Sequence, residues 1–291
     1  MKRINKILKA GTCLALCTCF LLSLIPVSSA SVRGDVDSDG KITATDARII
    51  LRAGIGLEKL SDEQKTNADA DYNGKITATD ARKILRLSIG ITDKDIKPDI
   101  PGAVLKGKTK NGYSIYEADG MTYIDGILIA NKTYSLPSDF NPGKLSDECV
   151  EAFNNMQKAA KRLHLNIYIS SGFRSFSLQN SIYNRYCAED GKALADRYSA
   201  RPGHSEHQTG LAIDLNTISQ SFANTAAGHW IAAHCHEYGF ILRYPKGKEH
   251  ITGYMYEPWH IRYVGVETAG RIAKSGLCLE EYYGITSAYT N

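Results

Sequence analysis

Beyond its first thirty residues the chain has no long apolar run, no excess of either charge and little proline, and each shortage removes a class of protein. With 8 Pro, 25 Gly and 43% hydrophobic residues among 291, it is neither disordered nor of low complexity, and it has apolar material for a core. The formal charge of +4 comes entirely from Lys2, Arg3, Lys6 and Lys9, and no acid precedes Asp35. Residues 31–291 balance at 31 basic and 31 acidic side chains. Nothing in that balance recruits nucleic acid or anionic lipid, so neither is expected as a partner. The length suits two domains.

What is present begins with a basic start, Met1 to Lys9, followed by the uncharged stretch 10–27 and the small residues Ser28-Ser29-Ala30. This order of charge, apolar run and small residues predicts a secretory signal over residues 1–30. An uncleaved anchor is the rival, because 18 uncharged residues approach the length of a membrane span; Pro26 and the small residues after it favour cleavage. The expectation is a secreted protein, extracellular or held at the cell surface, with no membrane contact once the signal is removed. Cys13, Cys17 and Cys19 leave with that signal. Cys149, Cys187, Cys235 and Cys278 remain, and four cysteines allow three pairings. An oxidising exterior permits disulfides but a domain of this size does not need them, and the pairing stays open.

Residues 35–52 (DVDSDGKITATDARIILR) and 69–86 (DADYNGKITATDARKILR) are a repeat of period 34. Two copies are too few for a solenoid, which needs about three to bury its core. The spacing of oxygen-bearing side chains explains the repeat better. Asp35, Asp37, Asp39 and Asp46 occupy positions 1, 3, 5 and 12 of a twelve-residue loop, with Gly40 at position 6 and Lys41 at position 7. The second copy supplies Asp69, Asp71, Asn73, Gly74, Lys75 and Asp80 at the same places. Calcium takes six to eight oxygens from such a loop, position 7 contributing its main-chain carbonyl, and glycine permits the turn at position 6. Two structural Ca2+ ions are therefore expected.

Position 12 is Asp rather than Glu, and the four residues between Ala30 and Asp35 are too few for an entering helix. Both features resemble the dockerin modules of cellulosomal proteins, over roughly residues 32–92. The resemblance implies a small all-α module of two F-hand repeats and a cohesin domain of a scaffolding protein as its partner. Positions 10 and 11 help set partner choice in that family, and here they are Ala44-Thr45 and Ala78-Thr79. The expected boundaries are signal 1–30, dockerin 31–92, linker 93–120, a second domain 121–275 and C-terminal tail 276–291. The linker rests on the polar composition of 92–110, with Pro98, Pro101, Gly102 and Gly107.

The rest of the chain mixes strands and helices without regular alternation, which predicts an α+β domain. Residues 124–137 suggest a strand or hairpin, and 146–164 a helix with Val150, Phe153, Met156, Ala160 and Leu163 at helical spacing. LNIYIS (165–170), LAIDL (211–215) and HIRYV (260–264) read as strands, 176–198 and 226–238 as helices.

Eight histidines are the first candidates for chemistry. His204, Glu206 and His207 precede the LAIDL strand, in which alternation puts Asp214 on the face with the small neighbours Gly210 and Ala212. Glu257-Pro258-Trp259-His260 enters the next strand. A straight strand would put Glu257 and His260 on opposite faces, so the chain must bend for both to serve one site. Two His and one carboxylate, with a Glu to spare, is the set a catalytic zinc uses: three protein ligands, an open position for water, and a separate base. Scattered structural residues are the competing reading of the same spacing. His234-Cys235-His236 looks like a cluster, but residues two apart on a helix do not share a face.

SGFRS (171–175), SEHQTGLAIDL (205–215), YGFILRYP (238–245) and EPWHIRYVG (257–265), in that order, resemble the VanY-type zinc D-alanyl-D-alanine carboxypeptidases. The NK and LP pairs of NKTYSLP (131–137) fit too, so coverage runs from about Tyr123 to Arg271. The resemblance implies a hedgehog/D,D-peptidase-like fold, a short antiparallel sheet with flanking helices, and one catalytic Zn2+. It implies His207, Asp214 and His260 as zinc ligands, Glu257 as general base and Arg174 as oxyanion stabiliser. Ser205 and Gln179 match positions that hold substrate, a peptidoglycan stem peptide ending in D-Ala-D-Ala. A serine-type D,D-peptidase would need Ser-x-x-Lys, whose single match, Ser38 to Lys41, falls in the first calcium loop. The same residues also admit a zinc endopeptidase acting on internal peptidoglycan bonds, or a catalytically silent wall-binding protein.

Overall fold

The computed structural model describes residues 33–70, 74–90, 94 and 100–289. The expected signal, Asp71 and Asn73 of the second loop, and residues 93 and 95–99 of the expected linker lie outside the described residues.

The N-terminal repeats form α1 (Ala44–Gly54), α2 (Asp62–Ala68) and α3 (Ala78–Ser88). Each long helix starts directly after its loop; no helix precedes the first loop among the described residues, whereas α2 ends at Ala68, directly before the second loop. Thr43 and Thr77 cap α1 and α3, and each closes a capping box with the loop's twelfth residue, Asp46 or Asp80. That Asp thus ties loop to helix: Asp46 also accepts from the Val36 amide at 2.8 Å, and Asp80 from Ala70 at 2.8 Å. Ile50 and Ile84, fully buried, meet between the helices with Val36, Ala47, Ala68 and Ala81.

Strands β1 (Val104–Lys108), β2 (Ser114–Ala118), β3 (Met121–Ile124) and β4 (Ile127–Ile129) form an antiparallel meander in that order. This corrects the linker expectation for 104–118. Tyr113, Tyr116 and Ala118 are buried, and all four residues of β3 pair with β2, from Ile115↔Ile124 to Ala118↔Met121. Short strands between Lys and Gly residues look like loop until a neighbour supplies the hydrogen bonds.

Helix α4 (Asp147–Arg162), capped by Ser146, buries Cys149, Phe153, Met156 and Ala160. Strand β5 is short (Ile169–Ser171), and α5 (Phe176–Asp190) ends at Gly191, whose φ of 78° breaks the expected single helix before α6 (Lys192–Ala195). There follow β6 (Ala212–Leu215), α7 (Ala226–His234), β7 (Phe240–Tyr244), α8 (Glu249–Thr252) and β8 (Glu257–Tyr263). The second sheet runs β5-β6-β8-β7, all antiparallel. Its inward residues Ile213, Leu215, Phe240 and Ile261 pack on α4 and α7 as the largest core.

Helices α9 (Val266–Ser275) and α10 (Leu279–Tyr283) complete the chain. The expected tail 276–291 is therefore structured as far as it is described: Cys278, Leu279, Glu280 and Tyr283 are buried. Glu280 is held there by Arg243, 37 residues earlier, a partner that local sequence cannot reveal. The four cysteines are free thiols. No described helix is long and apolar enough to cross a membrane.

Candidate active site

Three pieces of chain deliver the polar groups of the second sheet to one cavity of about 330 Å³. The first is the 3₁₀ turn Glu206–Thr209, closed by Gly210 at φ 70°. A Cβ on Gly210 would lie 2.6 Å from the Lys144 carbonyl, so this position requires glycine. The turn presents His207, whose Nδ1 faces the Gly172 carbonyl at 2.7 Å. A carbonyl only accepts, so Nδ1 carries the proton and Nε2 keeps its lone pair, facing Asp214 Oδ2 at 3.2 Å. The second piece is β6, which alternates Ile213 and Leu215 into the core and Asp214 into the cavity.

The third is β8. The pairings Leu242↔Ile261 and Tyr244↔Glu257 show four residues of β8 covering what two cover on β7. This bulge supplies the bend the sequence required. Glu257 and His260 both line the cavity, with His260 Nδ1 3.8 Å from Glu257 Oε2 and 3.1 Å from Asp214 Oδ1. His207, Asp214 and His260 thus bring three donor atoms within 4.8 Å of one another, all buried, a group that could hold a metal ion.

Arg174 faces Asp214 from the other wall, Nη2 to Oδ2 at 3.8 Å. Its guanidinium is braced by Gln179 Oε1 at 2.7 Å and Ser171 Oγ at 3.2 Å. Ser205, buried, also lines the cavity. Gln179 does not. It is fully buried behind Arg174 and donates to the Ala200 carbonyl at 2.6 Å, so the structure makes it a brace for Arg174 rather than a wall of the cavity. Tyr186, Tyr198, Tyr244, Tyr254 and Tyr256 supply aromatic lining that the sequence, with 17 tyrosines, did not single out.

Electrostatics set the site apart. Burial pushes the Glu257 carboxyl up to about 8, against the pull of His260 and Arg174. Burial alone would lower His260, but its hydrogen bonds to Asp214 and Glu206 raise it to about 9. Burial would likewise raise Asp214, yet the two imidazoles hold it well below the usual carboxylate range. Carboxylates crowded this closely at a buried wall are the setting in which a cation binds and a base is tuned.

The other histidines stay out of the cavity. His204 Nδ1 meets the Asn131 carbonyl at 2.8 Å, His234 pairs with Glu237 at 2.8 Å, and Cys235 is core. Sequence reasoning missed a group of buried charges: Glu206, Arg243, Arg262 and Glu280, none more than 2% exposed. A signal existed, since FILRY and HIRYV each place one Arg inside an otherwise apolar or aromatic run. In the N-terminal loops, Asp35, Asp37 and Asp39 converge as a second group that could hold a metal ion, while the Asp46 carboxylate is occupied by the Val36, Asp37 and Thr43 amides. In the second loop Asp69 accepts from the Gly74 amide at 3.0 Å, as Asp35 does from Gly40 at 2.9 Å.

Comparison with known proteins agrees with both halves. Residues 33–86 match the dockerin type I domain and residues 142–266 match VanY, D-alanyl-D-alanine carboxypeptidase. YodJ of Bacillus subtilis (strain 168), which carries a provisional carboxypeptidase name, is 36% identical over 197 residues, 58% of this chain and 72% of that protein. A D-alanyl-D-alanine carboxypeptidase of Enterococcus faecalis (strain ATCC 700802 / V583) is 42% identical over 123 residues, 39% of this chain and 46% of that one. Among solved structures, the LdcB LD-carboxypeptidase superposes with a TM-score of 0.53 at 43% identity, covering 65% of this chain and 98% of its own. On these likenesses the chain belongs to the VanY D-alanyl-D-alanine carboxypeptidase family, with a dockerin type I domain at its N-terminal side.

Proposed function

We propose that this protein is an exported zinc-dependent carboxypeptidase that removes the terminal D-Ala from peptidoglycan stem peptides, docked through its calcium-binding repeats on a cohesin-bearing scaffold. The observation that carries the reading is the convergence of His207 Nε2, Asp214 and His260 Nδ1 beside Glu257 and Arg174 in one buried-walled cavity. The donor set fits zinc. Two imidazole nitrogens and one carboxylate are a catalytic zinc's ligand set; here His207 Nε2 lies 3.2 Å from Asp214 Oδ2 and His260 Nδ1 3.1 Å from Asp214 Oδ1, and the three residues would hold the ion. When bound, zinc supplies the Lewis acidity that polarises the scissile carbonyl and makes water nucleophilic at neutral pH.

The remaining work falls to the chain. Glu257 takes the proton of the attacking water and returns it to the leaving D-Ala amine, a role worth on the order of 10²–10⁴ in rate. Arg174, braced by Gln179 and Ser171, meets the negative charge that develops on the carbonyl oxygen. Ser205 and the tyrosines exclude water and orient the peptide. In the first repeat Asp35, Asp37, Asp39 and Asp46 with the Lys41 carbonyl would hold calcium, and Asp69, Asp71, Asn73 and Asp80 with the Lys75 carbonyl would do so in the second.

The likeness to LdcB, itself an LD-carboxypeptidase, favours a second reading: removal of D-Ala from an L-centre, in a tetrapeptide. One assay separates the readings. The full chain, loaded with zinc and calcium, is given a pentapeptide ending in D-Ala-D-Ala and the matching tetrapeptide, and free D-Ala is measured. Release from the pentapeptide that is lost in Glu257→Ala with zinc retained, and lost together with the metal in His260→Ala, supports the D,D reading. Release from the tetrapeptide alone moves the assignment to L,D chemistry. Cleavage only of cross-linked muropeptides makes it an endopeptidase, and none of these from folded, zinc-loaded protein makes it a silent wall-binding protein.

A further inference from the structure

Glu206 sits between Ser205 and His207 yet takes no part in the proposed hydrolysis. It is fully buried, and its two oxygens have separate duties. Oε1 accepts from Arg243 Nε at 2.8 Å and from Arg262 Nη1 at 3.0 Å. Oε2 faces His260 Nε2 at 3.3 Å. Arg243 turns its other two nitrogens to Glu280 of α10, at 2.8 and 2.5 Å, and Glu280 also accepts from Asn131 Nδ2 at 3.1 Å. Arg262 is anchored on the Leu128 carbonyl of β4 at 2.6 Å. The first sheet and the C-terminal helix therefore hold the two guanidiniums, and these hold Glu206 against the imidazole.

Two buried cations and two buried anions are costly to desolvate, and apolar residues of similar volume commonly serve stability as well or better. The geometry of Glu206 points to a different use. We infer that Glu206 is a positioning residue for His260: accepting the hydrogen bond of Nε2–H, it fixes the tautomer that leaves Nδ1 turned to Asp214 and free to hold the metal, with α10 completing the clamp through Glu280 and Arg243. The inference rests on the zinc reading of the cavity. A histidine ligand with its far nitrogen held by a carboxylate is turned correctly and made more basic, and loss of such a partner costs about 10–100-fold in metal affinity.

The test compares two double variants of the full chain in excess calcium, Glu206→Gln/Arg262→Met and Glu206→Met/Arg262→Met. Each removes one buried anion and one buried cation, so the charge balance is kept, and they differ in whether residue 206 has an oxygen able to accept the hydrogen bond from His260 Nε2. Zinc affinity is read by competition with a chelator, with near-ultraviolet dichroism reporting the fold. The Met/Met variant is expected to bind zinc about 10–100-fold more weakly than the Gln/Met variant. Equal affinities in two folded variants overturn the inference while leaving the zinc site intact. Should either variant fail to fold, ¹⁵N-histidine NMR of the unaltered zinc-loaded chain decides: metal on His260 Nδ1 and a proton on Nε2 supports the clamp, and the reverse overturns it. A wild-type chain that binds no zinc overturns the zinc reading and the clamp with it.

Discussion

Gln179→Met separates a brace from a substrate contact. Gln179 is fully buried, accepts from Arg174 at 2.7 Å and donates to the Ala200 carbonyl at 2.6 Å. Met is of similar length, fills the space and makes neither bond. A hydrogen bond to a charged group is worth about 1.5–3 kcal/mol and a neutral one about 1, so stability should fall by about 2–4 kcal/mol. Arg174 keeps Ser171 at 3.2 Å and Asp214 at 3.8 Å, so it stays in the site but less firmly aimed. If the full worth of the lost anchor is felt only where charge develops, kcat falls about 10–150-fold. KM changes little, because an interaction made in the transition state has been weakened rather than uniform binding. Initial rates of D-Ala release over a range of peptide concentration, below the melting temperature, give both constants. A raised KM with kcat intact would mean that Gln179 touches substrate, as the family resemblance implied. Unchanged kinetics in a folded variant would mean that Arg174 needs no brace.

Gly228→Ala places a Cβ 2.0 Å from the Phe222 carbonyl oxygen at the start of α7, and thermal denaturation should show a loss of about 1–3 kcal/mol or more, since backbone must move. Asp196 is the acid-sensitive tie of the α6 region. Burial would raise it, but Arg201 and Tyr183 hydrogen bonds hold it below the usual carboxylate range. Its contribution is then complete above about pH 4 and lost as pH falls through the folded value, so the stability gap between wild type and Asp196→Asn should close in acid melts. A gap that is constant from pH 7 to pH 3 would refute the tie. Chelation of calcium should reduce the far-ultraviolet helical signal of the full chain by the share of α1 and α3, because Asp46 and Asp80 join loop to helix N-terminus; an unchanged spectrum would remove calcium from the folding of the repeats.

Much of the site was legible because its residues are close in sequence to glycine and proline signals. His207 and Asp214 flank Gly210, and period-two alternation alone put Asp214 opposite Ile213 and Leu215. The two loops were legible for the same reason, their oxygens recurring at fixed spacing around Gly40 and Gly74. The burial of Gln179 behind Arg174 was not legible, because a helix position says which turn a side chain leaves from and nothing about what stands between it and the cavity. Residues 104–118 and 276–289 were misread because their partners, β3 for one and Arg243 for the other, lie outside any local window.

The sequence by itself determined the local chemistry: a twice-repeated oxygen loop, helices with their caps, a strand that turns one carboxylate away from the core, and the His, Asp and Glu able to share a metal and a proton. Each follows from backbone sterics and side-chain period, which act over a few residues. Tertiary structure alone decided the bulge that brings Glu257 and His260 to one face, the burial that raises Glu257, and the ion network from α10 to His260. These depend on strand pairing and on exclusion of water, and both arise only when segments distant in the chain come together.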